Sequence, residues 1–142
     1  MADKYNAEGY FSPTEHEAFT RLEKEEKAVR KAAAFRPIVY ICSPYSGDTE
    51  RNIENAKRYS RFAVDYHSLP ITPHIYFTQF MNDNIPEERE TAIFMNIILL
   101  SKCAELWVFG DTVSSGMKAE IERAKRKHMK IRYFTEELEE TT

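Results

Sequence analysis

The sequence predicts an α/β fold: a Rossmann-like or flavodoxin-like parallel sheet of about four strands, ordered 2-1-3-4, with helices on both faces. An N-terminal accessory helix precedes it. Three observations lead there. Ile38-Val39-Tyr40-Ile41-Cys42 and Leu106-Trp107-Val108-Phe109 are continuous apolar runs, as strands buried on both faces require. Helical patterns alternate with these runs, which implies βαβ crossovers and a parallel sheet. Polar, glycine-bearing or aromatic segments follow the strands directly.

Residues 1 to 13 read as an irregular lead containing Gly9 and Pro13. Thr14-x-x-Glu17 is a capping box opening a charged helix to about residue 34. Its apolar stripe is thin, so residues 1–36 form a lead and accessory helix, and residues 37–142 the main domain. After the first strand, Ser43 to Asp48 is a loop. A helix runs from about Thr49 to His67, with Ile53, Ala56, Ser60, Ala63 and Val64 on one face. Leu69 to Thr72 is a short strand closed by Pro73, and residues 74 to 85 read as a partly ordered loop over the site. Pro86, Glu87 and Glu88 open a helix that is nearly all apolar from Ala92 to Leu100, except Asn96. That composition predicts burial on several sides. The third strand spans Glu105 to Phe109 and the last Lys130 to Phe134. The acidic tail Thr135 to Thr142 is expected to fray.

The chain has 142 residues, 42% of them apolar, which suits one core. Twenty basic and 23 acidic residues are well mixed, giving a net charge of −3. No basic stripe appears, so duplex nucleic acid is not an expected partner, whereas a small nucleotide needs only local positive potential. No apolar run reaches membrane-spanning length, and the first residues are polar and charged rather than secretory. A cytoplasmic protein without membrane contact is expected. Cys42 and Cys103 lack metal-ligand spacing and read as buried free thiols. The four histidines form no metal motif, and neither metal nor cofactor is expected.

In open α/β sheets, ligands bind beyond the carboxyl ends of the strands, where strand order reverses. That edge carries Ser43, Tyr45, Ser46 and Gly47 after the first strand, His74 after the second, and Asp111 to Gly116 after the third. The first loop offers hydroxyls, N–H groups and an aromatic face. Ser114, Ser115 and Gly116 form a second N–H-rich turn opening a helix. In that helix Met117, Ile121 and Ala124 recur at i, i+4 and i+7 as a buried stripe, and Glu120 lies on its edge. The helix end favours an ionised Glu120, as a carboxylate nucleophile requires, and partial burial opposes it. Tyr40 points opposite to Val39 and Ile41. It is either a core tyrosine or a hydroxyl set against Glu120. His74 is either a loop histidine or a contact to sugar or phosphate. Asn96, polar in a greasy helix, needs a partner from backbone or from the pocket.

Residues 38 to 134 resemble the nucleoside 2-deoxyribosyltransferase-like superfamily, which includes the 2'-deoxynucleoside 5'-phosphate N-hydrolases. The run Tyr40 to Gly47, the pair Pro73-His74, and Glu105 to Gly110 with Ser114-x-Gly116-Met117-x-x-Glu120 look like a bacterial and phage branch of it. The superfamily pattern G-x-x-x-E-x-G-x-A is matched by Gly116, Glu120 and Ala124, with Glu122 replacing the second glycine. The resemblance implies Glu120 as nucleophile and Tyr40 as its support. It implies Ser114 as a 5'-phosphate ligand, where the deoxyribosyltransferases carry aspartate. An aspartate near the base in the family corresponds here to Asn96, and an amide does not donate a proton as an acid does.

The sequence therefore points to a nucleotide N-glycosidase working by double displacement. Its ligand set is Ser43, Tyr45, Ser46, Gly47, His74, Asp111, Ser114, Ser115, Gly116 and Met117, around Glu120, Tyr40 and Asn96. The rival is a protein that binds a nucleotide or a cyclic-ADP-ribose-type signal without chemistry. A homodimer or larger homo-oligomer is expected, with the Ala92 to Leu100 helix as its interface.

Overall fold

The computed structural model describes residues 13–141. A 22-residue helix, α1 (Pro13–Ala34), forms one compact unit, and the chain from Arg36 onward forms a second. The sequence-expected lead lies almost wholly outside the described residues. Helix α1 begins at Pro13, so Thr14 stands inside the helix rather than at its cap.

The second unit is a mixed sheet with helices on both faces. Its elements in chain order are β1 (Ile38–Cys42), α2 (Thr49–Asp65), β2 (Leu69–Ile71), α3 (Pro73–Tyr76), α4 (Pro86–Ser101), β3 (Glu105–Phe109), α5 (Ser115–Arg126), β4 (Lys130–Phe134) and β5 (Glu140–Thr141). Strand order is β2-β1-β3-β4-β5. The first four strands run parallel, as expected. The fifth is a correction: the tail turns back and pairs antiparallel with β4, Tyr133 opposite Thr141. A salt bridge between Arg132 and Glu140 fastens it. The Arg132 guanidinium also lies 4.9 Å from the Trp107 ring centroid, a cation–π contact.

Alternation along β1 and β3 divides the core. Tyr40, Cys42, Leu106 and Val108 face α5, where Met117, Ile121 and Ala124 close one layer with Leu100 of α4. Val39, Ile41, Trp107 and Phe109 face the other way, against Tyr59 and Ala63 of α2. There Tyr59 stacks on Phe109 at 4.2 Å between ring centroids, and Phe109 on Phe134 at 4.9 Å.

Helices α2 and α5 end alike. His67 and His128 both adopt φ of 56°, a left-handed conformation. Ser68 N–H then bonds Ala63 C=O, and Met129 N–H bonds Ala124 C=O, each at 2.9 Å. These are Schellman closures. Two of the four histidines are thus helix terminators. Among the described residues no three or more His, Cys, Asp or Glu side chains cluster as metal ligands would.

The segment read as a loop at 74 to 85 contains helix α3 and a 3-10 turn, Phe77–Gln79. Pro73 at the first helical position fixes φ for α3. Helix α4 is only partly covered by its own chain. Within this chain only Leu100 is buried, while Phe94 is 67% exposed. No helix among the described residues is long and apolar enough to cross a membrane.

Candidate active site

Strand order reverses between β1 and β3, and the segments leaving their carboxyl ends diverge around a cavity of about 250 Å³. Glu120 lies on its wall. Helix α5 brings it there, because Met117, Ile121 and Ala124 pin one helical face to the sheet and leave Glu120 at that face's edge. Ser114 caps the helix, its Oγ accepting from Met117 N–H at 3.3 Å. Ser115 and Gly116 occupy the first turn, where backbone N–H groups lack helical partners.

The Tyr40 hydroxyl donates to Glu120 Oε1 at 2.9 Å. Burial pushes the Glu120 carboxyl up to about 7, against hydrogen bonds from Cys42 and Tyr40 that pull it down. Burial, one of the two influences the sequence sets in opposition, thus outweighs the side-chain donors. Burial, then the charge of Glu120, also raise Tyr40 and Cys42 well above their ordinary values, so both remain protonated donors. Cys42 went unnoticed as a site neighbour in the sequence. The signal was the same period-two alternation that places Tyr40: two residues on, a side chain shares its face.

His74 Nε2 lies 3.3 Å from Ser43 Oγ. Burial lowers its imidazole to about 4, so it is neutral at ordinary pH. The Tyr45 ring stands beside it, 6.1 Å between centroids. Ser43, Tyr45, Ser46, His74, Asn96, Ser114, Ser115, Gly116, Met117 and Glu120 all border the cavity. Asn96 reaches it from α4, with its Oδ1 buried and without a hydrogen-bond partner.

Tyr40 stands behind the wall and meets the cavity only through Glu120, and two other sequence candidates are not brought there. Gly47 lines no part of the cavity. Its φ of +99° makes it a turn residue, whose carbonyl accepts from Thr49 N–H at 3.0 Å. Asp111 faces a neighbouring polar cavity with Asn52, Asn55 and Thr112. Conversely, Asn82, Asp83, Glu88 and Arg89 border the Glu120 cavity without being marked by the sequence reading. The spacing of Glu88, Ala92 and Asn96 at i, i+4 and i+8 was the available signal.

A family model described as a domain of unknown function, DUF7768, matches residues 37–134. The chain belongs to this family. The match spans the strands and helices that build the cavity and excludes α1. Among solved structures, the 2-deoxyribosyltransferase of Bacillus psychrosaccharolyticus is similar, with a TM-score of 0.54 and 14% sequence identity. The likeness covers 69% of this chain and 72% of that one. At that identity it shows a shared fold. No curated protein matches the chain in sequence.

Proposed function

We propose that the protein cleaves the N-glycosidic bond of a (deoxy)nucleoside 5'-monophosphate or related nucleotide, with Glu120 as nucleophile. The observation that carries this is the Glu120 carboxyl, set in a cavity at the sheet's switch point and held by the Tyr40 hydroxyl at 2.9 Å. The fold shared with a 2-deoxyribosyltransferase supports nucleoside chemistry.

In the first step a Glu120 oxygen bonds the anomeric carbon and the C–N bond breaks, its electron pair leaving with the base. Water then attacks the same carbon, the carboxylate departs, and the proton that water loses replaces the one the departed base takes from solvent. Ser114, Ser115 and Gly116 would take the 5'-phosphate on hydroxyl and N–H donors. Neutral His74 and the Ser43 hydroxyl would bind sugar oxygens without adding charge. The test is chromatography of deoxynucleoside monophosphates after incubation with the protein. Free base and deoxyribose 5-phosphate are expected.

One observation favours a second reading, in which the site binds a nucleotide or a cyclic-ADP-ribose-type signal without chemistry. Asn96 is an amide and has no acidic proton for a leaving base. Under that reading the same incubation returns the ligand intact and calorimetry records stoichiometric binding.

Because the nucleophile is the ionised form, kcat/KM is expected to fall as pH drops below about 7. Tyr40→Phe removes a donor to that ion, a bond to a charged group worth roughly 1.5–3 kcal/mol. Its acidic limb should move upward by about one to two pH units. A limb left in place would show that the hydroxyl does not steady the carboxylate.

The protein is further proposed to assemble as a homodimer or larger homo-oligomer through α4 and the aromatic turn before it. Phe94, Ile98, Tyr76 and Phe80 are exposed there, and clustered apolar exposure is a mark of contact surfaces. Ile98→Glu should lower the solution mass to that of a folded monomer. An unchanged oligomer would place the contact elsewhere.

A further inference from the structure

The cavity's walls differ in chemistry. The strand edge brings hydroxyls and N–H groups. The loop before α4 and the α4 helix bring Asn82, Asp83, Glu88 and Asn96. Much acceptor capacity on that second wall is unused. Glu88 Oε2 accepts from Asn82 N–H at 3.2 Å, and Asn82 Oδ1 accepts from Asn84 N–H at 2.9 Å. Among the described residues no hydrogen bond reaches the other Glu88 oxygen or either Asp83 oxygen, and no ion pair engages these carboxylates. Asp83 and Glu88 are both half-buried. Arg89, the cation beside them, is exposed.

Partly desolvated acceptors without donors are matched by a ligand edge that carries N–H groups. A carbonyl oxygen set against the same carboxylates leaves both sides unpaired and repels. Carboxylates accept from the amino group of cytosine for the same reason in other settings.

We propose that this wall selects nucleotides whose base carries an exocyclic amino group, taking cytosine over uracil and adenine over hypoxanthine, with Asp83 and Glu88 determining the choice. This rests on the nucleotide reading of the site given above. Each pair is nearly isosteric, so apolar contacts with Phe77 and Met81 do not distinguish its members. The amino group donates where its partner presents a carbonyl oxygen.

The test is calorimetry with Glu120→Gln, which keeps the cavity and removes the nucleophile. The four ligands are the 2'-deoxynucleoside 5'-monophosphates of cytosine, uracil, adenine and hypoxanthine. The amino member of each pair should bind at least about tenfold tighter. Adding Glu88→Gln and Asp83→Asn should bring each ratio within about twofold. Glu88 also receives the Asn82 N–H, so Asp83→Asn is measured by itself as well. It should lower the ratio with an unchanged circular dichroism spectrum. Equal affinities within each pair, or a ratio that survives both substitutions, would overturn the assignment and leave the N-glycosidase reading standing. Absence of binding by all four would overturn both.

Discussion

Glu120→Ala is expected to lower kcat/KM on a deoxynucleoside monophosphate by at least about a thousandfold, the scale on which a removed nucleophile is felt. The fold should persist. Glu120 lies at the edge of the α5 stripe, and Met117, Ile121 and Ala124 hold that helix to the sheet without it. Loss of rate with an unchanged circular dichroism spectrum is the expected pair of results. A variant that keeps near wild-type base release would remove Glu120 from the chemistry.

The second large effect is on stability. The Glu120 carboxyl titrates near 7 in the folded protein and near 4.5 when free of it. The folded state therefore holds the proton more tightly. That stabilising contribution is complete below pH 4.5 and is lost as pH rises through about 7. The gap corresponds to a contribution on the order of 3 kcal/mol, at 1.36 kcal/mol per unit. Glu120→Gln abolishes this titration, while its amide oxygen can still accept from Tyr40. Denaturant unfolding should find the variant similar to wild type near pH 4.5 and more stable by up to roughly 3 kcal/mol at pH 8. Parallel pH dependence in the two proteins would show that the carboxyl is solvated rather than buried. A site that costs the fold stability while supplying a reactive group is expected where function opposes packing.

Legibility in the sequence followed burial. Strands β1 and β3 are readable to the residue, because a strand covered on both faces writes its limits in an apolar run, whereas β4 is a half-covered Lys130-Ile131-Arg132-Tyr133-Phe134 segment set off by the end of α5. The α5 stripe was readable for the same reason and carried Glu120 with it. Strand β5 was not. Glu140 and Thr141 are exposed and polar, and their pairing depends on Arg132, which is remote from them in any local window. Helix α3 is four residues long, too short to show a period. For helix α4, apolar composition reports what a helix tends to bury, not whether its own chain provides the cover. Within the site, Tyr40 and Glu120 were placed by periodicity. Asp83 and Glu88 are not, since Asp83 lies within the segment read as loop and Glu88 in the first helical turn after it. Asp111 belongs to the segment that leaves β3 at the carboxyl edge, yet the chain after Gly110, at φ +92°, turns Asp111 toward the α2 side of the sheet.

The central claim is that Glu120 bonds directly to the sugar. Intact-protein and peptide mass spectrometry on samples acid-quenched during turnover of a deoxynucleoside monophosphate tests it most directly. A deoxyribose 5-phosphate adduct should appear on the peptide containing Glu120 and vanish in Glu120→Gln. Steady base release with no adduct, continuing at the same rate in Glu120→Gln, would contradict it.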